Sequence, residues 1–141
     1  MVRVGLDSRL KTSKLNTKPM SKVITTFKQI KEIIEPIPAD QFCRLSYQDD
    51  FTGQCCFLGH IQKHVSGDAK EGSDVHGAGF GARALTAKFF KEAYGIFASG
   101  ASVNDSENVN GYNEPIIKDR LMHMIQDGIK WEENKLKLET T

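Results

Sequence analysis

The segment Cys55-Cys56-Phe57-Leu58-Gly59-His60 is the part of the chain around which the fold is predicted to form. It follows a turn rich in Asp and Gly at residues 48–53, and it opens a stretch to Val65 in which apolar side chains recur at helical spacing. This spacing predicts a buried helix over residues 55–65. We therefore place this helix at the centre of the predicted core.

Three further helices are predicted from the same periodicity. The first is capped by Ser21 and stopped by Pro36, the second covers residues 82–94, and the last follows Asn113. Residues 42–47 fit a strand or a helix equally well. The predicted fold is one compact domain of about four helices, mostly α, or α+β with a small element of two or three strands.

Charge and composition predict the limits of the domain. Five Lys and Arg residues against one Asp give residues 1–20 a net charge of +4, whereas the other 121 residues carry −3. We interpret residues 1–19 as a flexible basic leader, native or added, residues 20–133 as a single globular domain, and residues 134–141 as a tail. The acidic body argues against nucleic acid as a partner. The short apolar runs predict no membrane span.

Two irregular polar segments are predicted to carry a binding function. Residues 66–81 contain five glycines, and residues 104–111 are dense in Asn, Asp and Ser. The first lacks a nucleotide-binding signature, and the second places Ile117 where a calcium loop needs its last glutamate. Residues 96–103 between the helices are predicted as one extended strand. The candidate binding residues in the two segments are Gly79, Gly81, Asn104 and Asp105.

Cys55 and Cys56 are the candidates for covalent chemistry. A cysteine that opens a helix has a lowered thiol pKa, which favours a nucleophile. A cysteine-dependent enzyme would also need a histidine base, His76 or His60, and an orienting amide such as Asn104. Cysteine is also among the residues most often buried, and the sequence favours this packing role over catalysis.

A zinc site is a weaker alternative. Cys56, His60 and His64 are spaced by four residues and share one helix face, with His76 or His123 as a fourth ligand. No second pair of ligands completes a zinc pattern, so no metal site is favoured and no cofactor is predicted. An odd number of cysteines without a secretory signal predicts free thiols and a cytoplasmic location.

Two stretches of the chain carry a family resemblance. Residues 50–61 read Asp-Phe-Thr-Gly-Gln-Cys-Cys-Phe-Leu-Gly-His-Ile, and Val103-Asn104-Asp105 precede the spacing Ile117 to Leu121. They resemble a family of small uncharacterised bacterial and phage proteins whose signatures are Asp-x-x-Gly followed by Cys-Ala-Leu-Gly-Ala-Leu, and Trp-Asn-Asp followed by Val-x-x-x-Leu. This chain departs from the pattern at Phe57, His60 and Val103. The residues carried over are Cys56, Leu58, Gly59, Asn104 and Asp105.

The resemblance, which covers residues 42–129, implies a compact, mostly helical domain associated with a phage or mobile element, and it assigns no reaction. From the residues, the leading hypothesis is a noncatalytic domain that binds an unidentified protein or small ligand between the two polar segments. The alternatives are a cysteine-dependent enzyme and a zinc-supported structural domain.

Overall fold

The structure, a computed structural model, describes residues 24–67, 69 and 78–140, without the side chains of residues 78, 79 and 140. Its helices are α1 (Phe27–Ile34), α2 (Phe57–Ser66), α3 (Ala78–Tyr94), α4 (Gly100–Asp105) and α5 (Ile117–Thr140). The described part contains no strand, only isolated β-bridges such as the one between Phe42 and Cys55. The mostly helical prediction is confirmed, and the small strand element is not seen in this part of the chain.

Helix α1 begins with a capping box at Thr26. The Gln29 N–H donates to Thr26 Oγ1 at 3.2 Å, and the Thr26 N–H donates back to Gln29 Oε1 at 3.0 Å. The predicted cap Ser21 lies outside the described residues. The helix ends before Pro36, as predicted, and buries Phe27 and Ile30 completely.

Helix α2 confirms the prediction made for the Cys55 to His60 segment. Phe57, Leu58 and Ile61 are buried, and the helix ends at Gly67 with φ of 84°, a left-handed conformation that favours glycine. Residues 42–47, where strand and helix both remained open, are neither: they form bends that lie against α2. Helix α2 is therefore the element against which the irregular segment is placed.

Two elements differ from the prediction. Helix α3 begins at Ala78 and not at residue 82, so Gly79 and Gly81 belong to its first turns. Residues 100–105 form helix α4, where an extended strand was predicted. The cause of α4 is tertiary: the Gly100 N–H donates to the buried Thr86 Oγ1 at 2.8 Å, which ties the start of α4 to α3.

Helix α5 continues through Thr140, so residues 134–140, predicted as a tail, are helical. Residues 135–138 are Lys and Leu, which are good helix formers. Lys135 also holds the extension against the fold, since its Nζ lies 3.3 Å from Glu92 and 4.5 Å from the centre of the Trp131 ring. Among the described residues, no helix is both long and apolar enough for a membrane span.

The core lies where α1, α2, α3 and α5 meet. Phe27 and Phe89 stack edge to face with ring centroids 5.2 Å apart, and Trp131 lies 5.5 Å from Phe89. Phe27 and Phe89, which are buried, each contribute about 1.5–3 kcal/mol by burial. Gly128 of α5 makes room for this cluster, because a side chain there would collide with the Phe27 ring. The packed core leaves the start of α2 and the end of α4 side by side at one edge.

Candidate functional site

A cleft of about 240 Å³ lies where the turn at residues 45–47 meets the start of α2 and the end of α4. It brings together three residues predicted from the sequence, Cys56, Asn104 and Asp105. The remaining lining residues come from the turn and from α2, α3 and α4: Leu45, Ser46, Tyr47, Leu58, Arg83 and Ala101.

Cys56 caps helix α2. The Gly59 N–H donates to its Sγ at 3.4 Å, and only 8% of the residue is exposed. Burial raises the pKa of the Cys56 thiol to about 11, although the N–H groups of Gly59 and Leu58 favour the thiolate. The thiol is therefore protonated at neutral pH, which differs from the lowered pKa expected for a cysteine at a helix start.

Asn104 joins three segments from a fully buried position. Its Oδ1 accepts the Phe57 N–H at 2.9 Å, a donor at the start of α2 that has no partner within the helix. Its Nδ2 donates to the Cys43 carbonyl and to Asp105 Oδ1, each at 2.9 Å. This side chain fixes the positions of the 43–47 segment and of α2 relative to α4.

Asp105 holds a strained residue at the rim of the cleft. The Leu45 N–H donates to Asp105 Oδ1 at 3.0 Å, and Leu45 has φ of 67°, in the left-handed region. A non-glycine residue in this conformation costs about 1–2 kcal/mol, and such strain clusters at functional sites. Leu45 is also largely exposed, so its side chain is available to a molecule in the cleft.

Gly59 permits the close approach of the turn to α2. A Cβ at this position would collide with the Tyr47 carbonyl group. A glycine inside a helix costs about 1 kcal/mol relative to alanine, and at Gly59 it leaves the space that the Tyr47 backbone occupies.

Arg120 of α5 is a residue of the site that the sequence analysis missed. It is fully buried, and its guanidinium donates to the carbonyls of Val103 and Asn104 at 2.9 and 2.8 Å. It also donates to the carbonyls of Glu114 and Pro115 at 2.8 and 3.2 Å. These bonds satisfy the end of α4 and the segment before α5, so Arg120 positions Asn104 and Asp105.

Arg83 of α3 is the second residue that was missed. It is exposed on a helix surface but lines the cleft together with Asp105, which places one cation and one carboxylate on its walls. Its position on a surface helix gives no sequence signal, because charged residues are common there.

The two candidate zinc ligands His60 and His64 have different surroundings. His60 Nε2 lies 2.7 Å from the Gln41 carbonyl oxygen, and its ring packs on Phe42 at 4.5 Å. Burial lowers the His60 pKa. His64 is exposed at the end of α2. Among the described residues, no group of three or more His, Cys, Asp or Glu side chains could hold a metal ion.

The other predicted site residues are not brought into the cleft by the described part of the chain. His76 lies outside the described residues, and Gly81 lies in α3, where Ile24 is its nearest neighbour. His123, considered as a fourth zinc ligand, has its Nδ1 2.9 Å from Glu114. Cys43, Cys55 and Cys56 are free thiols, and burial raises the pKa of each.

Comparison of the chain with protein-family models, with curated proteins and with solved structures found no match. The resemblance of residues 42–129 to a family of small bacterial and phage proteins stays a prediction.

Proposed function

We propose that this chain is a noncatalytic binding domain that takes a small polar ligand into the cleft between residues 45–47 and the end of α4. The observation that carries the proposal is the cleft itself, whose lining includes the charged residues Asp105 and Arg83 and the buried Cys56. Positioned polar groups on a rigid scaffold are typical of binding sites.

The size of the cleft limits the ligand. Its volume of about 240 Å³ lies below the ~300–1,000 Å³ usual for drug-sized ligands, so the ligand is of amino-acid size. The Asp105 carboxylate matches a cationic or hydrogen-bond donor group of a ligand. The Arg83 guanidinium matches an anionic group. We therefore propose a small zwitterion, or a small molecule with the same two kinds of group.

The thiol supports this assignment better than it supports catalysis. Burial raises the pKa of the Cys56 thiol to about 11, so the thiol is protonated at pH 7 and is a poor nucleophile. The histidine nearest to it in sequence, His60, is directed to the Gln41 carbonyl. A cysteine-dependent enzyme would need His76 or another base from outside this arrangement, so we rank it second.

Two wider inferences rest on the sequence. The free thiols support a cytoplasmic location. The family resemblance supports association with a phage or mobile element. A zinc-supported domain has no supporting ligand set in the described part of the chain.

A thermal-shift screen tests the proposal. The probes are the free amino acids, each at millimolar concentration, with simple amines and carboxylates as single-charge comparisons. A ligand at a hundred times its Kd stabilises the fold by about 2.7 kcal/mol, which is a measurable rise in Tm. We expect zwitterions to give the rise and single-charge compounds to give less.

Two variants identify the site. Arg83→Gln should abolish the rise in Tm, whereas Lys91→Gln, at an exposed lysine of the same helix that does not line the cleft, should preserve it. The proposal is wrong if no probe stabilises the protein or if Arg83→Gln leaves the rise unchanged. Thiol labelling of Cys56 that titrates near neutral pH would favour the enzyme instead.

A further inference from the structure

A second, larger depression lies on the other side of Arg83. This groove, about 710 Å³, runs between the exposed face of α3 and the segment that leads into α4. Phe97 stands at its edge with 97% of its surface exposed. A single exposed phenylalanine is common on protein surfaces, and Phe97 differs from Phe51 in lining a groove that also carries cations.

The groove has a cationic wall. Arg83 and Lys91 lie eight residues apart on α3, with Lys88 between them, and all three line the groove. Among the described residues that line the groove, Glu92 is the one carboxylate, and it already contacts both Lys88 at 4.0 Å and Lys135 at 3.3 Å. The wall therefore carries an excess of positive charge, on a body whose overall charge is slightly negative.

The floor of the groove is apolar and shallow. Ala87 and Ala98 form part of it, with the hydroxyls of Ser99 and Ser102 at the α4 end. Small side chains leave room for an incoming residue. Ser102 Oγ accepts the Ser99 N–H at 3.1 Å and can still donate through its own O–H. An apolar floor with cations on one side and an aromatic ring on the other fits a chain that is both acidic and partly apolar.

We propose that this groove binds a short acidic peptide segment of another protein, with an apolar side chain of the peptide packed against Phe97. Eight residues of helix separate Arg83 and Lys91 by about 12 Å, at ~1.5 Å per residue. An extended peptide covers that length with about four residues at ~3.3 Å each. Two carboxylates four residues apart lie on one face of an extended chain and would face the two cations.

A protein partner fits the observations better than a nucleic acid. Three cations, one of them shared with Glu92, form a short stripe and not the long basic track that follows a phosphate backbone. The groove and the cleft share Arg83, but Lys91 and Phe97 line only the groove, so variants at these two residues test the peptide proposal separately from the ligand proposed for the cleft.

Selection from a library of randomised twelve-residue peptides, with the full chain as bait, provides the probes. We expect the enriched peptides to contain several Asp or Glu residues and at least one Phe, Leu or Ile. Their affinity, measured by fluorescence anisotropy, should fall as NaCl is raised from 50 to 500 mM. No enrichment above a bait-free selection, or enrichment of basic peptides, would overturn the proposal.

Matched variants assign the binding to the groove. Phe97→Ala and Lys91→Glu should each weaken the peptide at least tenfold. The first control is Phe51→Ala, at a phenylalanine that is 99% exposed but lies beside Asp49 and Asp50. The second is Lys63→Glu, because Lys63, like Lys91, lies in the last turn of its helix. Both controls should change affinity less than twofold. Circular dichroism confirms that each variant is folded.

Two other occupants are tested in parallel. A twenty-residue oligothymidine that binds more tightly than the selected peptides, and loses affinity in Phe97→Ala, would overturn the proposal in favour of a single-stranded nucleic acid. Self-association in sedimentation velocity that Phe97→Ala abolishes would overturn it in favour of a second copy of the chain. The proposal is supported if the protein is a monomer that binds the acidic peptides and has no affinity for the oligonucleotide.

Discussion

Replacing Asn104 by alanine tests the claim that this residue organises the cleft. The change removes the acceptor of the buried Phe57 N–H, and a buried donor without a partner costs about 1–3 kcal/mol. It also removes the donor to the partly buried Cys43 carbonyl, which is worth about 0.5–1.5 kcal/mol. Together these losses predict that Asn104→Ala lowers the free energy of unfolding by about 1.5–4.5 kcal/mol.

Urea denaturation followed by circular dichroism measures this loss. We expect the midpoint to fall while the slope of the transition stays the same, because the variant should still fold to the same compact state. The matched control is Asn113→Ala, at an exposed asparagine before α5, which should change stability by less than about 0.5 kcal/mol. Its effect sets the scale for a solvent-exposed amide.

A second substitution separates the two halves of the amide. Asn104→Asp keeps an acceptor for the Phe57 N–H but cannot donate to the Cys43 carbonyl, and it places a carboxylate beside Asp105. We expect it to destabilise the fold at neutral pH and to recover in part on acidification, as repulsion between the two carboxyl groups is relieved. If Asn104→Ala costs no more than Asn113→Ala, the reasoning is refuted, and the amide is free to serve a ligand.

Three further predictions concern the glycines, the buried thiol and the α1 cap. Gly59→Ala should destabilise the fold by about 1–3 kcal/mol in urea denaturation, because the added Cβ meets the Tyr47 backbone. Gly81→Ala should stabilise helix α3 by about 0.5–1 kcal/mol, because the added Cβ lies 3.4 Å from its nearest neighbour, the Ile24 carbonyl oxygen. Equal effects at the two positions would contradict this. Cys56 should resist labelling by iodoacetamide in the native protein at pH 7 and react upon unfolding, since burial raises its pKa to about 11; rapid native labelling mapped to Cys56 by mass spectrometry would contradict the burial. Glu132 accepts the Phe27 N–H, and burial raises the pKa of its carboxyl group. The contribution of Glu132 to stability is therefore present below its pKa in the unfolded chain and is lost as pH rises through its pKa in the folded protein. Glu132→Gln should therefore gain stability relative to the parent protein between acidic and neutral pH, and a constant difference across a pH series of urea transitions would count against this assignment.

The helices that were predicted are those in which apolar side chains recur at helical spacing. Helix α2 buries Phe57, Leu58 and Ile61 on one face, and that spacing is visible in the sequence. Helix α4 was missed because Gly100, Ser102 and Asn104 are poor helix formers and six residues are too few to be helical alone. Its stability comes from Thr86 and Arg120, which lie far away in sequence.

Arg120 shows what a pattern can and cannot reveal. It lies three residues after Ile117 and four before Met124, which places a cation on the apolar stripe of α5. This position was the available signal that the arginine is buried. The carbonyls that it bonds could not be read from the pattern, because they belong to the end of α4 and to the segment before α5.

Three of the candidate residues chosen from the sequence, Cys56, Asn104 and Asp105, line the cleft, and whether they bind a ligand stays a prediction. Asn104 and Asp105 were selected as polar loop residues, and the structure places them at the end of a short helix. Residues 78–81 of the predicted partner segment belong to α3, and Arg83 of the same helix lines the cleft, while residues 68 and 70–77 lie outside the described residues. A cleft formed by four separate elements depends on packing that local spacing does not encode.

The hydrogen bonds of Asn104 decide which residues recognise a ligand. A side-chain amide has two N–H donors, and both are used, one on the Cys43 carbonyl and one on Asp105. Its Oδ1 is directed to the buried Phe57 N–H and not to the cleft. Asn104 can therefore contact a ligand only at the expense of the fold, and recognition falls to its neighbours Asp105 and Arg83, whose charged groups line the same cleft.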